Sequence, residues 1–425
     1  MERRCIALID WNWSGHHPNF FNQFILALEE LGLDVFALCP DPVGAAELAA
    51  STRSHCEGGN RGRTQFMRLE PPAARFAWLR PRRIGIADQS IRRFTGIERQ
   101  IIQWQKTSGR SVHGVFYACI YDWEFEWFSV ARHLLRFPWT GLYLQALSYR
   151  MPGRIRPGSR KPPCPEKIFR SGLCMGVGIL DEGIVSQVAD HLQKPVVVIP
   201  DLADERRATT DEDRKLGEQL KNFAAGRPII GLFGHLQVSK GLLTFLKAAR
   251  LAEATGICFA LGGEIFWPYH EKEIQEIRDA LEGIPNLWCH LSRIPTEPAL
   301  NHLICVCDVV AASYIDFPHS SGIQAKAAAL DRPLIVSDGY LMAERVRRFR
   351  TGEVVAQEDE QALLEATLKI IRNPDAWRQE MSPQWREYQA EHSFERLKDK
   401  LAELIFLKPD SSVSAFRSIA ADSDF

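Results

Sequence analysis

The sequence predicts an α/β protein built from two domains, each a doubly wound parallel sheet. Short apolar segments of strand length alternate with longer segments that carry apolar residues at helical spacing. This alternation begins at Cys5 and starts afresh at Pro228. The chain has 425 residues, enough for two domains that each bury a core. Alternation of this kind is typical of parallel sheets with helices on both faces.

The composition excludes several classes of function. The chain has 52 Lys and Arg against 53 Asp and Glu, without a long block of one sign, so it does not indicate nucleic-acid binding. Its ten cysteines form no CxxC pair, which favours free thiols in a reducing compartment over disulfides or a zinc site. The apolar run Cys5–Ile9 is too short for a signal peptide, and no run has membrane-spanning length. We expect a cytoplasmic protein, soluble or peripheral to a membrane.

The first domain is predicted to span residues 1–203. Its opening elements are a strand, a helix and a strand, at Cys5–Ile9, Phe20–Leu31 and Leu33–Cys39. Ligands of such Rossmann-like sheets bind beyond the carboxyl ends of the strands. The loop with Gly15, His16 and His17 follows the first strand and is therefore a candidate binding loop.

Four side chains near strand ends are candidates for proton transfer. An imidazole exchanges a proton most easily near neutral pH, so His16 and His17 are candidates for acceptor binding or base catalysis. Capping of the following helix is the structural alternative. Asp10 follows the first strand and Asp122 follows the predicted strand Gly114–Tyr121.

A basic cluster lies in the middle of the first domain, after a stretch from Pro40 to Gly85 in which we predict only an exposed loop at Thr52–Arg63. The cluster precedes and enters a predicted helix at Ile91–Lys106. It consists of Arg80, Arg82, Arg83, Arg92, Arg93 and Arg99. A solvated charged face explains such a cluster, and a patch for an anionic acceptor or a membrane surface is the alternative.

The second domain is predicted to span residues 204–384. Its strands are predicted at Pro228–Phe233, Ile257–Leu261, Leu287–Leu291, Val306–Ser313 and Leu334–Ser337. Its helices are predicted at Thr209–Phe223, Leu242–Ala254, Tyr269–Leu281, Glu297–Cys305, Ser320–Leu330 and Gln361–Ile371. Pro374–Trp377 is predicted as a turn, residues 385–407 as one or two helices, and residues 408–425 as a disordered tail.

The turn before the helix Ser320–Leu330 is a candidate anion site. It places Ser320, Ser321 and Gly322 at the first helical turn, where backbone N–H groups are unpaired. These N–H groups and the positive end of the helix dipole favour a phosphate or diphosphate, and Gly322 allows a ligand to approach the backbone. A serine cap on an ordinary helix is the alternative.

Four features in sequence order resemble the donor domain of GT-B glycosyltransferases, and the family 4-like enzymes (glycosyl transferases group 1) are the nearest group. They are the turn GHLQVSKG at 234–241, the Gly262-Gly263-Glu264 strand end, Asp308 before an apolar strand, and SSGIQAKAAALDRPLIVSD from Ser320. The resemblance covers about Pro228–Gln357, and only topology and the Gly15 loop match before it. It implies two Rossmann-like domains facing a central cleft, and a last helix, at 385–407, that crosses back toward the first domain.

The resemblance also implies a donor-binding set. In this family a Gly-Arg-Leu…Lys-Gly turn grips the donor diphosphate; Lys240 keeps the lysine, and His235 replaces the arginine. A histidine is not permanently cationic, so donor binding should weaken as pH rises through its titration. The full set is Gly15, Gly234, His235, Lys240, Gly263, Glu264, His319, Ser320, Ser321, Gly322 and Lys326.

One departure from the family concerns the two glutamates of its E-x7-E pattern. Their places fall on Pro318 and Lys326, so both carboxylates are missing. This puts in question the contact that the second glutamate makes with the donor ribose. Lys326 either offers a cation to the donor or is an ordinary solvated lysine.

The implied reaction is hexosyl transfer from a nucleotide-sugar donor, with no cofactor. Lys240, His235 and the amides at Ser320–Gly322 would stabilise the leaving diphosphate. No DxD motif follows a strand, so we expect transfer without a metal. In an inverting enzyme one of the four groups His16, His17, Asp10 and Asp122 would act as base; in a retaining enzyme the leaving phosphate takes the proton and these groups only orient.

Other readings of the same residues stay open. The acceptor could be a glycan, a lipid-linked sugar or a small molecule. A sugar-nucleotide epimerase with the same fold is one alternative function. A non-catalytic protein that binds a nucleotide sugar or a partner is another, because the glutamate pair is missing.

Overall fold

The computed structural model describes residues 3–15, 17–53, 62–70, 82–121, 135–151, 168–169, 171–265 and 271–407. The chain divides into two compact units. The first unit is Met1–Pro200 together with the chain from Phe394, and the second is Asp201–Ser393. Each unit has its own parallel sheet and its own hydrophobic core.

The first unit contains a sheet of seven parallel strands in the order β3-β2-β1-β4-β5-β6-β7. Its elements are β1 Cys5–Ile9, α1 His17–Glu30, β2 Asp34–Cys39, α2 Pro42–Arg53, β3 Thr64–Arg68, α3 Arg82–Ser108, β4 Val112–Tyr121, β5 Trp139–Gln145, α4 Leu147–Arg150, β6 Cys174–Ile179, α5 Val185–Leu192 and β7 Val196–Val198. Every residue of β1 and β2 is buried, as expected for strands covered on both faces. The strand order reverses between β1 and β4.

The second unit contains a sheet of six parallel strands in the order β10-β9-β8-β11-β12-β13. Its elements are α6 Asp211–Ala224, β8 Ile229–Phe233, α7 Leu242–Leu251, β9 Cys258–Gly262, α8 Glu271–Leu281, β10 Leu287–His290, α9 Glu297–Val306, β11 Val309–Ala312, α10 Gly322–Ala329, β12 Leu334–Ser337, α11 Leu341–Phe349, β13 Gly352–Val355, α12 Glu360–Arg372 and α13 Pro374–Glu391. Here the order reverses between β8 and β11.

The last helix, α14 (Phe394–Ile405), belongs to the first unit. It packs against α1, β6 and β7, and Lys398 Nζ lies 3.3 Å from Glu30 Oε2. A Cβ added to Gly176 or Gly178 in β6 would meet Leu404, so these glycines let α14 lie close to the strand. The predicted tail at 408–425 lies outside the described residues.

The predicted pair of doubly wound parallel sheets is confirmed. One predicted element was wrong, and the bounds of another differ. Pro374–Trp377 begins α13 and is not a turn, because proline fits the first position of a helix, where its missing N–H has no partner to lose. The strand predicted from Val306 starts only at Val309, because α9 continues to Val306.

A buried carboxyl group lies in the core of the first unit. Glu98 on α3 is 5% exposed, and its Oε1 accepts a hydrogen bond of 3.3 Å from the Arg136 amide. Its Oε2 has no hydrogen-bond partner among the described residues. Burial raises the pKa of Glu98 from its ordinary value to about 7.

We predict that Glu98 makes the stability of the first unit depend on pH. Because the pKa is raised to about 7 in the folded state from 4.5, the folded chain holds this proton more tightly than the unfolded chain does. The contribution is fully present below pH 4.5 and is lost as pH rises through 7. The loss should reach about 3 kcal/mol, at ~1.4 kcal/mol per pKa unit.

Denaturant unfolding of parent and Glu98→Gln on both sides of this window measures the effect. Glu98→Gln should remove most of the fall in unfolding free energy, since an amide does not titrate there. The exposed Glu47→Gln on α2 is the matched control and should keep it. An identical fall in Glu98→Gln and parent would contradict the assignment.

Candidate functional site

Two loops of the second unit pack together at the carboxyl ends of β8 and β11, where the strand order reverses. Ligands of doubly wound sheets bind at such a point. The Ile315 amide donates a hydrogen bond of 2.9 Å to the Ser239 carbonyl. Gly241 has φ +67°, and a Cβ on it would overlap the Ser313 carbonyl oxygen, so the approach of the two loops requires glycine there.

This packing seats Lys240 against two aromatic rings. Its Nζ lies 3.8 Å from the ring centroid of Tyr314 and 4.5 Å from that of Phe317. The two rings meet edge to face with their centroids 5.0 Å apart. A cation–π interaction between an ammonium and an aromatic face contributes about 0.5–2 kcal/mol, depending on how exposed the ammonium is. The rings therefore hold the Lys240 ammonium beside the loop that leads into α10.

The amino end of α10 faces open space next to this lysine. Ser321 Oγ donates to the Tyr314 hydroxyl at 3.3 Å and makes no capping bond to the helix. Among the described residues, none beyond the chain neighbours and the helix's own backbone places a heavy atom within 4 Å of a Cβ built on Gly322. The first N–H groups of a helix lack partners within it, so an ammonium, a helix dipole and free amides converge here. Such a set suits a phosphate or diphosphate.

His235 and Glu264 extend the same edge of the sheet. The Gly234 amide donates to the Gly262 carbonyl at 3.0 Å, and the Leu236 amide donates to the Glu264 carbonyl at 2.9 Å. The ends of β8 and β9 therefore run side by side. A Cβ on Gly263, which has φ +142°, would overlap the Gly234 carbonyl oxygen. His235 and Glu264 are both exposed at this edge.

The second unit thus brings most of the predicted donor residues to one edge of its sheet. His319 belongs to the same loop, with its ring centroid 5.5 Å from that of Phe317, and Ser320 precedes Ser321. Gly15 lies in the first unit, in the exposed loop after β1 with φ +60°.

Lys326 is placed differently from these residues. Its side chain is buried, and its Nζ lies 2.7 Å from Glu297 Oε2, 3.0 Å from Asn301 Oδ1 and 3.1 Å from the Asp204 carbonyl oxygen. A buried ammonium needs such partners to offset its desolvation. It points toward α9 and the entry to the unit, where Glu297 and Asn301 meet its charge, in place of the predicted contact with a donor.

Asp308, which is part of the pattern that resembles the family, binds backbone groups of the sheet. Its Oδ2 accepts a hydrogen bond of 2.8 Å from the Ile229 amide, and its own amide donates to the Ile229 carbonyl at 2.8 Å. These contacts join the amino ends of β8 and β11. Asp308 therefore lies at the opposite edge of the sheet from Lys240.

A buried hydrogen-bonded chain lies at the corresponding point of the first unit. Asp10 follows β1 and Tyr121 ends β4, the two strands between which the order reverses. His17 Nδ1 lies 2.8 Å from Asp10 Oδ2, and His17 Nε2 lies 2.7 Å from the Tyr121 hydroxyl. Asp10, His17 and Tyr121 are 1%, 4% and 7% exposed.

The environment of Asp10 has opposing effects on its proton affinity. Burial raises the pKa of Asp10, while the His17 ring and the backbone amides of Asn12 and Trp11 lower it. The Asn12 amide donates to Asp10 Oδ1 at 2.9 Å, so each carboxyl oxygen has a partner. His16 and Asp122, the other predicted candidates, lie outside the described residues.

Sequence reasoning missed several residues of these two sites. Tyr121 was the last residue of a predicted strand, and that position was the only signal for it. Tyr314 and Phe317 follow β11 without a motif of their own. Gln357 fixes the same loop, because it accepts from the Asp316 amide at 3.0 Å and donates to the Asp338 carbonyl at 2.9 Å.

The basic cluster of the first unit is only partly described. Arg92 and Arg93 are half-buried on α3, and Arg99 is exposed. The Arg93 guanidinium lies 5.2 Å from the ring centroid of Trp11, in the loop after β1. Arg80 and the side chains of Arg82 and Arg83 lie outside the described residues. Among the described helices, none combines the length and the hydropathy needed to cross a membrane.

The chain is similar in structure to several solved proteins. HepE from Anabaena, crystallised with UDP, has a TM-score of 0.63 and 12% identity, and the match covers 95% of this chain and 99% of that one. Sucrose-phosphate synthase from Thermosynechococcus elongatus has a TM-score of 0.63 and 16% identity, with 99% and 100% covered. A glycosyltransferase from Rickettsia africae has a TM-score of 0.64 and 13% identity, with 96% and 100% covered.

These likenesses show the fold, which is GT-B as the sequence predicted. No family model matches the chain, and no curated protein sequence is similar to it.

We predict that Gly241→Ala disrupts the packing that seats Lys240. The matched control is Gly256→Ala, because Gly256 has φ +75° but, in the part of the chain that the structure describes, no atom beyond its chain neighbours lies within 4 Å of an added Cβ. Both variants place alanine in the left-handed region of backbone conformation, which costs about 1–2 kcal/mol of unfolding free energy. Only Gly241→Ala also pushes against a backbone carbonyl, so its loss of unfolding free energy should be clearly larger. Equal losses in denaturant unfolding would contradict this role of Gly241.

Proposed function

We propose that this protein is a glycosyltransferase that moves a sugar from a nucleotide-sugar donor to an acceptor. The observation that carries the proposal is the position of Lys240 beside the open amino end of α10, at the strand-order reversal of the second sheet. Glycosyl transfer leaves negative charge on a diphosphate, and fixed donors that meet this charge lower the barrier. The GT-B fold supports the proposal, as does HepE, which was crystallised with UDP.

The donor is proposed to bind to the second unit alone. Lys240 and the amides at Ser320–Gly322 would hold the diphosphate, and His235 would add a hydrogen bond from the end of β8. Glu264 and Gly263 would lie along the sugar-nucleotide. We propose that these groups replace a metal ion in neutralising the leaving group, which agrees with the missing DxD motif.

We propose that the donor is held as in the family 4-like enzymes, with one modification. The second glutamate of the family pattern is replaced by Lys326, whose charge is met by Glu297. The donor ribose would therefore be held by other groups of the second unit. The diphosphate contacts do not depend on this position.

The acceptor is proposed to bind to the first unit, near the loop that follows β1. The half-buried Arg93 above Trp11 would favour an acceptor with a negative charge, or contact with an anionic membrane surface. We propose a cytoplasmic location on the composition of the chain, whose ten cysteines form no CxxC pair.

We predict that Lys240→Ala weakens UDP binding about 10- to 100-fold, the loss expected when a charge-assisted hydrogen bond of ~1.5–3 kcal/mol is removed. The control is Lys247→Ala, because Lys247 is exposed on α7 and belongs to no part of the site. Titration calorimetry with UDP measures both. Equal dissociation constants for parent and Lys240→Ala would overturn the diphosphate assignment.

Turnover separates an enzyme from a binding protein. Parent chain mixed with UDP-glucose should release UDP, slowly with water as acceptor and faster with a suitable sugar acceptor. UDP binding without release from any of a panel of UDP-sugars and acceptors would indicate a protein that retains only the donor site.

We also predict that His235→Ala weakens UDP binding, because the proposed hydrogen bond from the ring to the diphosphate is lost. His235→Arg should keep most of the affinity, since a guanidinium also donates hydrogen bonds to phosphate oxygens. The measurement is the UDP dissociation constant of both variants and of the parent chain. A parent-like dissociation constant in His235→Ala would show that His235 does not contact the diphosphate.

A further inference from the structure

The His17 ring has no nitrogen available to a substrate. Its Nδ1 is 2.8 Å from Asp10 Oδ2 and its Nε2 is 2.7 Å from the Tyr121 hydroxyl. A carboxylate only accepts, so Nδ1 carries the proton and donates to Asp10. Nε2 then holds the lone pair, and the Tyr121 hydroxyl donates to it. This network assigns the tautomer.

A metal ion is a weaker explanation of the same cluster. Cys119 brings its sulfur within 4.8 Å of the Asp10 and His17 ligand atoms. An ion bound there would need an imidazole lone pair, and Nε2 already uses its lone pair to accept from Tyr121. The hydrogen-bonded chain uses every polar atom of the His17 ring, whereas an ion would have to break a bond at one of them.

We propose that Asp10, His17 and Tyr121 form a proton relay, in which the Tyr121 hydroxyl is the group that meets the acceptor hydroxyl. This inference rests on the proposed glycosyl transfer and specifies which residue of the first unit contacts the acceptor. Tyr121 is a catalytic residue in this scheme, while His17 and Asp10 are positioning residues that act through it. Tyr121 ends β4 at the strand-order reversal, where ligands of such sheets bind.

The relay accounts for every proton in the transfer. The acceptor oxygen bonds to the anomeric carbon of the donor sugar as its O–H bond breaks, and that proton passes to the Tyr121 oxygen. The Tyr121 proton passes at the same time to His17 Nε2. The bond from the anomeric carbon to the diphosphate breaks, and its electron pair leaves on the diphosphate. The imidazolium that forms is stabilised by the Asp10 carboxylate.

The activity test uses UDP release from UDP-glucose, with water as the acceptor. Tyr121→Phe and His17→Gln should each lower the rate about 100-fold or more, as expected for loss of general base catalysis. The double variant should be no slower than either single variant, because residues that act as a unit are not additive. Tyr117→Phe removes another buried hydroxyl from β4 and is the matched control, expected to keep the parent rate.

A proton inventory adds a measurement that a merely structural role would not change. Two protons move together in the relay, so the parent rate should depend quadratically on the fraction of D2O. A linear dependence in the parent, a parent-like rate in Tyr121→Phe, or losses that add in the double variant would each overturn the relay.

A substrate-free measurement tests the hydrogen-bonded chain itself. In protein labelled with 15N-histidine, a low-field proton resonance on His17 Nδ1 is expected, assigned by its absence in His17→Gln. Asp10→Asn should remove it, and Tyr121→Phe should shift Nε2, while Tyr117→Phe changes neither. No effect of Tyr121→Phe would overturn the assignment.

The outcomes separate the relay from the proposed function. UDP binding that depends on Lys240, with parent-like UDP release in Tyr121→Phe, would overturn the relay and leave the glycosyltransferase standing. A parent chain that releases no UDP from UDP-sugars would overturn both.

Discussion

The constraint on which both sites depend is the reversal of strand order within each parallel sheet. In the second sheet β8 is paired with β9 on one side and β11 on the other, so the connections that leave β8 and β11 lead to opposite directions along the sheet. Parallel strands also end at a common edge. The loops after β8 and β11 therefore begin side by side and then diverge, and the polar groups of the candidate site lie on these two loops. In the first unit Asp10 after β1 and Tyr121 at the end of β4 lie at the corresponding reversal of strand order.

The fold could largely be predicted from the sequence, because β1, β2, β8 and β9 are buried on both faces and therefore appear as uninterrupted apolar runs. Other elements lack that signal. The edge strand β3 is partly exposed and carries polar residues, and α2 buries only Ala45 and Ala49, so neither shows a clear period. Their positions are set by pairing with neighbours that are distant in sequence.

The candidate sites were predictable only where a residue belongs to a local motif. Lys240 and Gly322 lie in short patterns that can be recognised along the chain. Tyr121 is a candidate site residue only because it contacts His17, which is 104 positions away in the sequence. No local sequence pattern could predict that contact. Lys326 shows the reverse case: its place in a motif suggested a ligand contact, and the carboxylate of Glu297 on a neighbouring helix explains its charge instead.

The return of the chain to its first unit also affects the order in which the two units can fold during translation. The ribosome makes β1 to β7 early, yet α14, which covers Gly176 and Gly178 of β6, is encoded after the whole second unit. Until then the apolar face of that sheet edge stays uncovered, while the second unit can already complete its own sheet. The unit that is translated first is thus the unit that finishes folding last. A folding intermediate that exposes apolar surface in this way is a substrate for chaperones.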